Sequence, residues 1–233
     1  MKKVAIFDID GTIFRSSLLI ELIEALIDEG LMPKKTVNAY APARSRWLNR
    51  EGSYDDYIEA VVKAFMANIK GMSSIELKRV SKRVVVASGK HVYRYTRELV
   101  RNLRTKGYYL LAISNSPKMV LDSFCKQWGF DMVYGRLYGI DKNGRMTNKI
   151  LHLDLITDKA KMVKRAVEKN DLTLKGSVGV GDSEADIAFL KLVENPICFN
   201  PNSLLFKVAK KRGWQVVVER KDVIYTIKDG GEK

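Results

Sequence analysis

Residues 4–9, Val-Ala-Ile-Phe-Asp-Ile, form a short apolar run broken by one acid and closed by Asp10-Gly11, which predicts a buried strand ending in a turn. From residue 16 to 29 the apolar positions recur at helical spacing, and Gly30 supplies a stop. The segment 34–50 is a weaker helical pattern that Pro42 should interrupt. Ser53 with Asp56, and Ser73 with Glu76, have capping-box spacing. The first precedes Tyr57, Ile58, Val61, Val62 and Phe65, and the second precedes Leu77, Val80, Val84 and Val85, each set at helical intervals. Residues 14–88 are therefore expected to be helical throughout.

Beyond residue 88 the period alternates. A helix over 93–106 gives way at Gly107 to a strand over 108–114, then to a helix over 117–128 with Pro at its start and Gly129 past its end. Strands are expected at 132–134, 177–181, 196–199 and 215–218, and helices at 158–169, 184–193 and 203–212. Such alternation predicts an α/β fold with a doubly wound parallel sheet. One segment departs from it: residues 136–140 and 145–151 flank Asp141-Lys142-Asn143-Gly144, a hairpin signal and a candidate flap. Residues 229–233 are expected to fray.

Composition narrows the class. A chain of 233 residues is long enough for one full-sized core, or for a core with a smaller inserted domain, and one active site is expected. Its 46% hydrophobic and 29% charged residues are those of a soluble globular protein, and no apolar run approaches the roughly 18 residues of a membrane span. Two acids lie where a signal peptide needs its apolar stretch, so a cytoplasmic location is expected. Cys125 and Cys198 sit in apolar contexts and should fill core space. The net charge of +14 favours polyanions, a phosphorylated metabolite or nucleic acid. Because the basic residues are interspersed with acids, a solvated surface is the preferred reading and nucleic acid the lesser one.

The strongest chemical signal is Phe7-Asp8-Ile9-Asp10-Gly11-Thr12. Ligands of a parallel sheet gather outside the carboxyl ends of its strands, which is where Asp8 and Asp10 fall. One carboxylate there can attack phosphorus while the second protonates the leaving oxygen and later deprotonates water. Two acids beside an apolar run are costly to desolvate without a cation or donors. A second acidic group, Gly181-Asp182-Ser183-Glu184-Ala185-Asp186, follows another strand, so Asp182 and Asp8 can converge on one Mg²⁺. Ser114, with Asn115 beside it, offers donors at a third strand exit, and Lys159 a positive charge near a helix start. His91 and His152 share no ligand spacing.

Together these residues resemble the motifs of the haloacid dehalogenase superfamily, in its phosphatase branch with a helical cap after the first strand, which includes the phosphoserine phosphatases. The resemblance spans nearly the whole chain. It implies a Rossmann-like core, residues 1–13 and 89–233, with an inserted helical cap, residues 14–88. It implies that Asp8 is the nucleophile and Asp10 the general acid/base, and that Thr12, Ser114, Asn115 and Lys159 bind phosphate. Asp8, Asp182 and the carbonyl of Asp10 would hold Mg²⁺, with Asp186 as supporting acid. The activity implied is a Mg²⁺-dependent phosphomonoesterase acting on a small phosphorylated substrate through an aspartyl-phosphate; a phosphotransferase or mutase is the alternative, and a nucleic-acid-binding protein on a non-catalytic scaffold a lesser one. Lys159 is preferred to Lys161 because Met162, Val163, Ala166 and Val167 then follow at the family's offsets. Phosphoserine phosphatases place a carboxylate early in the first cap helix, whereas residues 16–20 here carry none and the first acid is Glu21. This departure counts against phosphoserine as the substrate. Arg44, Arg46 and Trp47 are the cap residues expected to meet an anionic or aromatic one.

Overall fold

The computed structural model describes residues 1–227, so the 229–233 tail expected to fray lies outside the described residues. Strand β1 (Lys2–Phe7) leads into helix α1 (Leu18–Asp28), a 3₁₀ turn (Lys34–Ala39), α2 (Ala41–Leu48), α3 (Tyr54–Ile69), α4 (Ser74–Ser88) and α5 (Arg94–Thr105). Then follow β2 (Tyr109–Pro117), α6 (Lys118–Trp128), β3 (Met132–Ile140), β4 (Met146–Leu151), α7 (Leu153–Ile156), α8 (Lys159–Lys169) and β5 (Leu172–Gly181). After a 3₁₀ turn (Glu184–Asp186), the chain continues as α9 (Ile187–Leu190), β6 (Asn195–Phe199), α10 (Ser203–Arg212), β7 (Gln215–Arg220) and β8 (Val223–Ile227).

The strands form one sheet in the order β4-β3-β2-β1-β5-β6-β7-β8, parallel from β3 to β7 with an antiparallel strand at each edge. Central β1 explains its own sequence, since Val4, Ala5, Ile6 and Phe7 are all fully buried, as a strand covered on both faces must be. Ala5 and Phe7 enter one core, with α1, α3, α4, α5 and α6; Val4 and Ile6 enter the other, with α8, α9 and α10. The sheet is doubly wound, as the alternation predicts.

Four expectations change. Pro42 does not interrupt a helix; it lies in the first turn of α2, where its missing N–H is not needed, and the preceding residues coil as a 3₁₀ turn instead. The helix expected over 184–193 shrinks to a 3₁₀ turn and the four-residue α9. Strands β2 and β3 run longer than expected, because β3 pairs first with β2 and then with β4. The hairpin of β3 and β4 is not a free flap. The turn between α3 and α4 is hydrogen-bonded to it through Gly71 N–H to Met146 O (2.9 Å), Met146 N–H to Met72 O (2.8 Å) and Ser74 N–H to Gly144 O (3.0 Å). Phe65 of α3 packs on Tyr138 of β3 below that junction. Strand β8 and helix α7 were not anticipated. Among the described residues no helix is long and apolar enough to cross a membrane.

Candidate active site

The chain leaves β1 through a tight turn. Gly11, at φ +82°, donates from its N–H to the carbonyls of Phe14 (2.9 Å) and Ser16 (3.2 Å), while the Ile9 carbonyl accepts from Ile13 and Phe14. A Cβ on Gly11 would come within 2.3 Å of Asp182 Oδ2, so the backbone approaches that carboxylate closely. Asp10 is gripped at both oxygens: Oδ1 accepts from the N–H of Leu18 (2.6 Å) and Oδ2 from Ser114 Oγ (2.6 Å). The first contact satisfies an orphan donor of α1 and thereby ties the helix to the β1 exit.

Beside β1, the end of β5 carries Asp182 and, four residues on, fully buried Asp186. Asp186 Oδ2 accepts from the N–H groups of Asp182 (2.9 Å) and Ser183 (3.1 Å), and its Oδ1 from Lys159 Nζ (2.5 Å). Asp158 caps α8 by accepting from Ala160 and Lys161 N–H, which sets Lys159 at the first helical position. Lys159 then reaches inward to Asp8 Oδ1 (2.7 Å), while Lys161 is exposed near Asp158. The geometry thus brings Lys159, and not Lys161, against Asp8.

Two residues expected on phosphate have other partners. Thr12, fully buried, donates its hydroxyl to Asp182 Oδ1 (2.9 Å), and its carbonyl accepts from Thr96 Oγ1 (2.9 Å). With its only side-chain proton committed to a carboxylate and no exposure, the Thr12 hydroxyl is engaged with Asp182 in this structure. Ser114 donates to Asp10 and accepts from the N–H of Ser116 (2.9 Å). Asn115 is exposed beside it and enters no hydrogen bond with the cluster.

Burial, then the charges of Asp186 and Asp10, raise the Asp8 carboxyl to about 8 against the opposing pull of Lys159. Burial also raises Asp10, with Ser114 and the Leu18 N–H opposing, and burial with the charges of Asp8 and Asp186 raises Asp182 well above the carboxylate range. Lys159 is pushed up despite its burial, by Asp186 and Asp8. Oxygens of Asp8, Asp182 and Asp186 lie within 4.8 Å of one another. Three carboxylates against one ammonium leave excess negative charge, and oxygen donors suit a hard divalent cation. Asp186 already has both oxygens engaged, which leaves Asp8 and Asp182 as the available ligands.

Next to this cluster is a cavity of about 840 Å³. Its floor includes Gly11 and Asp182, and its far wall is helical: Glu21 and Glu24 of α1, Arg44 and Trp47 of α2, and Tyr54, Asp55 and Tyr57 of α3. Glu21 accepts from Ser88 Oγ (2.9 Å), and burial raises Glu24. Arg44 and Trp47 therefore lie where the sequence suggests, but Arg46 does not. It lines a separate groove with Pro42, Asp56 and Lys63, because successive helical positions point about 100° apart. Glu24, Tyr54 and Tyr57 escaped the sequence reading, since their spacing looks like that of any amphipathic helix.

Residues 5–191 match the family of haloacid dehalogenase-like hydrolases. A Mycobacterium tuberculosis protein named phosphoserine phosphatase SerB1 is 26% identical over 220 residues, covering 91% of this chain and 69% of its own. A Neisseria meningitidis protein named histidinol-phosphatase is 25% identical over 228 residues, covering 93% of this chain and 99% of its own. In fold, the chain resembles the solved structure of a phospho-aspartyl intermediate analogue of phosphoserine phosphatase, with a TM-score of 0.61 at 18% identity over 95% of each chain.

Proposed function

The chain belongs to the haloacid dehalogenase-like hydrolases, and from that premise we propose that it is a Mg²⁺-dependent phosphomonoesterase working through an aspartyl-phosphate on Asp8. The observation that carries the reading is the clustering of Asp8, Asp182 and Asp186, with Lys159 bonded to Asp8 and Asp186 and with Asp10 held two residues from Asp8. An Asp8 oxygen attacks phosphorus in line as the ester P–O bond breaks, and Asp10 gives its proton to the departing oxygen. Water then attacks the same phosphorus, Asp10 takes its proton, and the bond to Asp8 breaks to release inorganic phosphate. The raised Asp10 carboxyl suits a group that must begin protonated. Asp8, Asp182 and the Asp10 carbonyl would hold Mg²⁺, which supplies positive charge against the phosphoryl oxygens. Lys159 fixes Asp8 and adds its own charge, and Thr12 keeps Asp182 aimed.

The substrate in this reading is a small phosphorylated metabolite lodged in the cavity, and helices α1–α4 act as a cap over it. The names of the relatives make phosphoserine and histidinol phosphate the first two esters to try. Both carry an amino group, for which Glu21 and Glu24 offer carboxylates on the cavity wall. The test is phosphate release from a panel of phosphomonoesters with Mg²⁺ and with chelator, wild type beside Asp8→Asn. Metal-dependent release that disappears in the variant supports the reading. A phosphorylated acceptor in place of inorganic phosphate replaces it with phosphotransfer, and undiminished release by Asp8→Asn removes the nucleophile.

A further inference from the structure

We propose that the cavity between β3, α7 and α8 is a second ligand site that takes an organic anion. The oxyanion accepts hydrogen bonds from Tyr134 Oη and the Arg165 guanidinium, and the apolar body rests on Met132, Leu137 and Leu155. The cavity holds about 650 Å³ and shares no lining residue with the one above the acids, so the inference stands independently of the phosphatase reading. It exists because β3 changes partner along its length. Met132, Val133, Tyr134 and Arg136 pair with β2, whereas β4 joins the strand only from Leu137 onward. The first half of β3 therefore has no strand on its outer side, and α7 and α8 flank the gap.

Tyr134 carries the argument. Its ring packs against the core formed with α8, while its hydroxyl oxygen is buried and has no hydrogen-bond partner among the described residues. Buried hydroxyls in that condition are rare, because each gives up its hydration for nothing. Its charged neighbour is Arg165, which lines the same cavity. A guanidinium has donors only, so it can serve the phenol oxygen but offers no acceptor to the phenol proton. Two donors side by side are satisfied together by one shared acceptor, and an oxyanion is the acceptor that a guanidinium binds best. The rest of the wall agrees. Lys161, Arg165 and Lys169 follow at four-residue intervals and share the face of α8 that lines the cavity. Lys161 reaches only Asp158, at 4.0 Å, and among the described residues neither Arg165 nor Lys169 forms an ion pair. Of the acids lining the cavity, Asp122 is paired with Lys118 (2.6 Å), Asp131 accepts from the Leu110 N–H (2.7 Å), and Asp154 is exposed on α7. Positive charge is thus what this wall leaves uncommitted, and the apolar residues beside it favour an anion with a carbon body over a bare inorganic one.

The test is an NMR titration of the isotopically labelled wild type, in chelator, with phenylphosphonate, whose C–P bond is not a phosphate ester. The amides of Tyr134 and Arg165 are followed beside those of Asp8 and Asp182. Saturable shifts at Tyr134 and Arg165 are expected. Arg165→Gln should weaken that binding at least about 10-fold and Tyr134→Phe about 10-fold, with the response at Asp8 and Asp182 unaltered. Tyr134→Phe should melt no lower than wild type, since it removes an unpaired buried hydroxyl. Benzoate in a parallel titration separates the two sources of oxyanion, and whichever binds more tightly names it as carboxylate or phosphate. Shifts confined to Asp8 and Asp182, shifts that never saturate, or equal affinity in wild type and both variants overturn the proposal. Benzyl alcohol binding as tightly as phenylphosphonate overturns the anion, and inorganic phosphate binding as tightly overturns the organic body.

Discussion

Beneath the floor of the cavity, Asp186 and Lys159 are buried and fully engaged; on its helical wall Glu21 and Glu24 are half-buried and Arg44 and Asp55 exposed. Asp186 is 0% and Lys159 7% exposed, both Asp186 oxygens have donors, and Lys159 is shared between two acids with the Phe189 ring 6.0 Å away. Across the gap Arg44 and Asp55 are open to solvent, and order comes from the rings of Trp47, Tyr54 and Tyr57. A saturated buried network has one arrangement because any unpaired charge costs several kcal/mol. An aromatic wall tolerates several arrangements at little cost. On the proposed reading, chemistry belongs to the floor and recognition to the wall.

The comparison is broken most severely at Asp8. Asp8→Asn should lower phosphate release by at least about 10³-fold while leaving circular dichroism unchanged and melting temperature equal or higher, since it removes a buried carboxyl whose ionisation favours the unfolded chain. Lys159→Met comes next. It leaves Asp8 and Asp186 buried without their counter-charge and should destabilise the fold by about 3–5 kcal/mol in urea titrations, besides abolishing turnover. A wall residue changed in the same way should cost less than about 1 kcal/mol.

A milder probe is pH in the absence of metal. Asp8 titrates near 8 in the folded chain against an ordinary value of 3.8, so the folded state keeps a proton that the unfolded state releases. Its contribution to stability is full below about 4 and is lost as pH rises through about 8. The melting temperature in chelator should therefore fall over that window, and saturating Mg²⁺ should flatten the slope; a slope unaltered by Asp8→Asn would assign it to other groups. The smallest effect concerns the wall. Arg44→Ala should change KM several-fold with little change in kcat, whereas Arg46→Ala, in its separate groove, should stay within about 2-fold in both.

Asp8 and Asp10 could be read from the chain because a buried apolar run ending in acids is a local pattern, and local patterns specify local structure. The same holds for the doubly wound sheet, since alternating periods leave few topologies open. Strand β8 was within reach, as Val223-Ile224-Tyr225 is β-branched and aromatic and follows a turn, but it was not read. The hairpin's grip on the α3–α4 turn was not within reach, because it uses backbone groups that carry no residue signature.

The sequence by itself determined which acids stand at the strand ends and that helices intervene between the first strand and the second. Only the tertiary structure decided that Lys159 rather than Lys161 turns inward, that the Thr12 and Ser114 hydroxyls bond carboxylates, and that Arg46 lines a separate groove. Periodicity is a property of neighbours along one element and survives in the string of letters. A hydrogen bond between residues 170 positions apart, such as that from Thr12 to Asp182, depends on how separate elements pack, and that information exists only once the chain has folded.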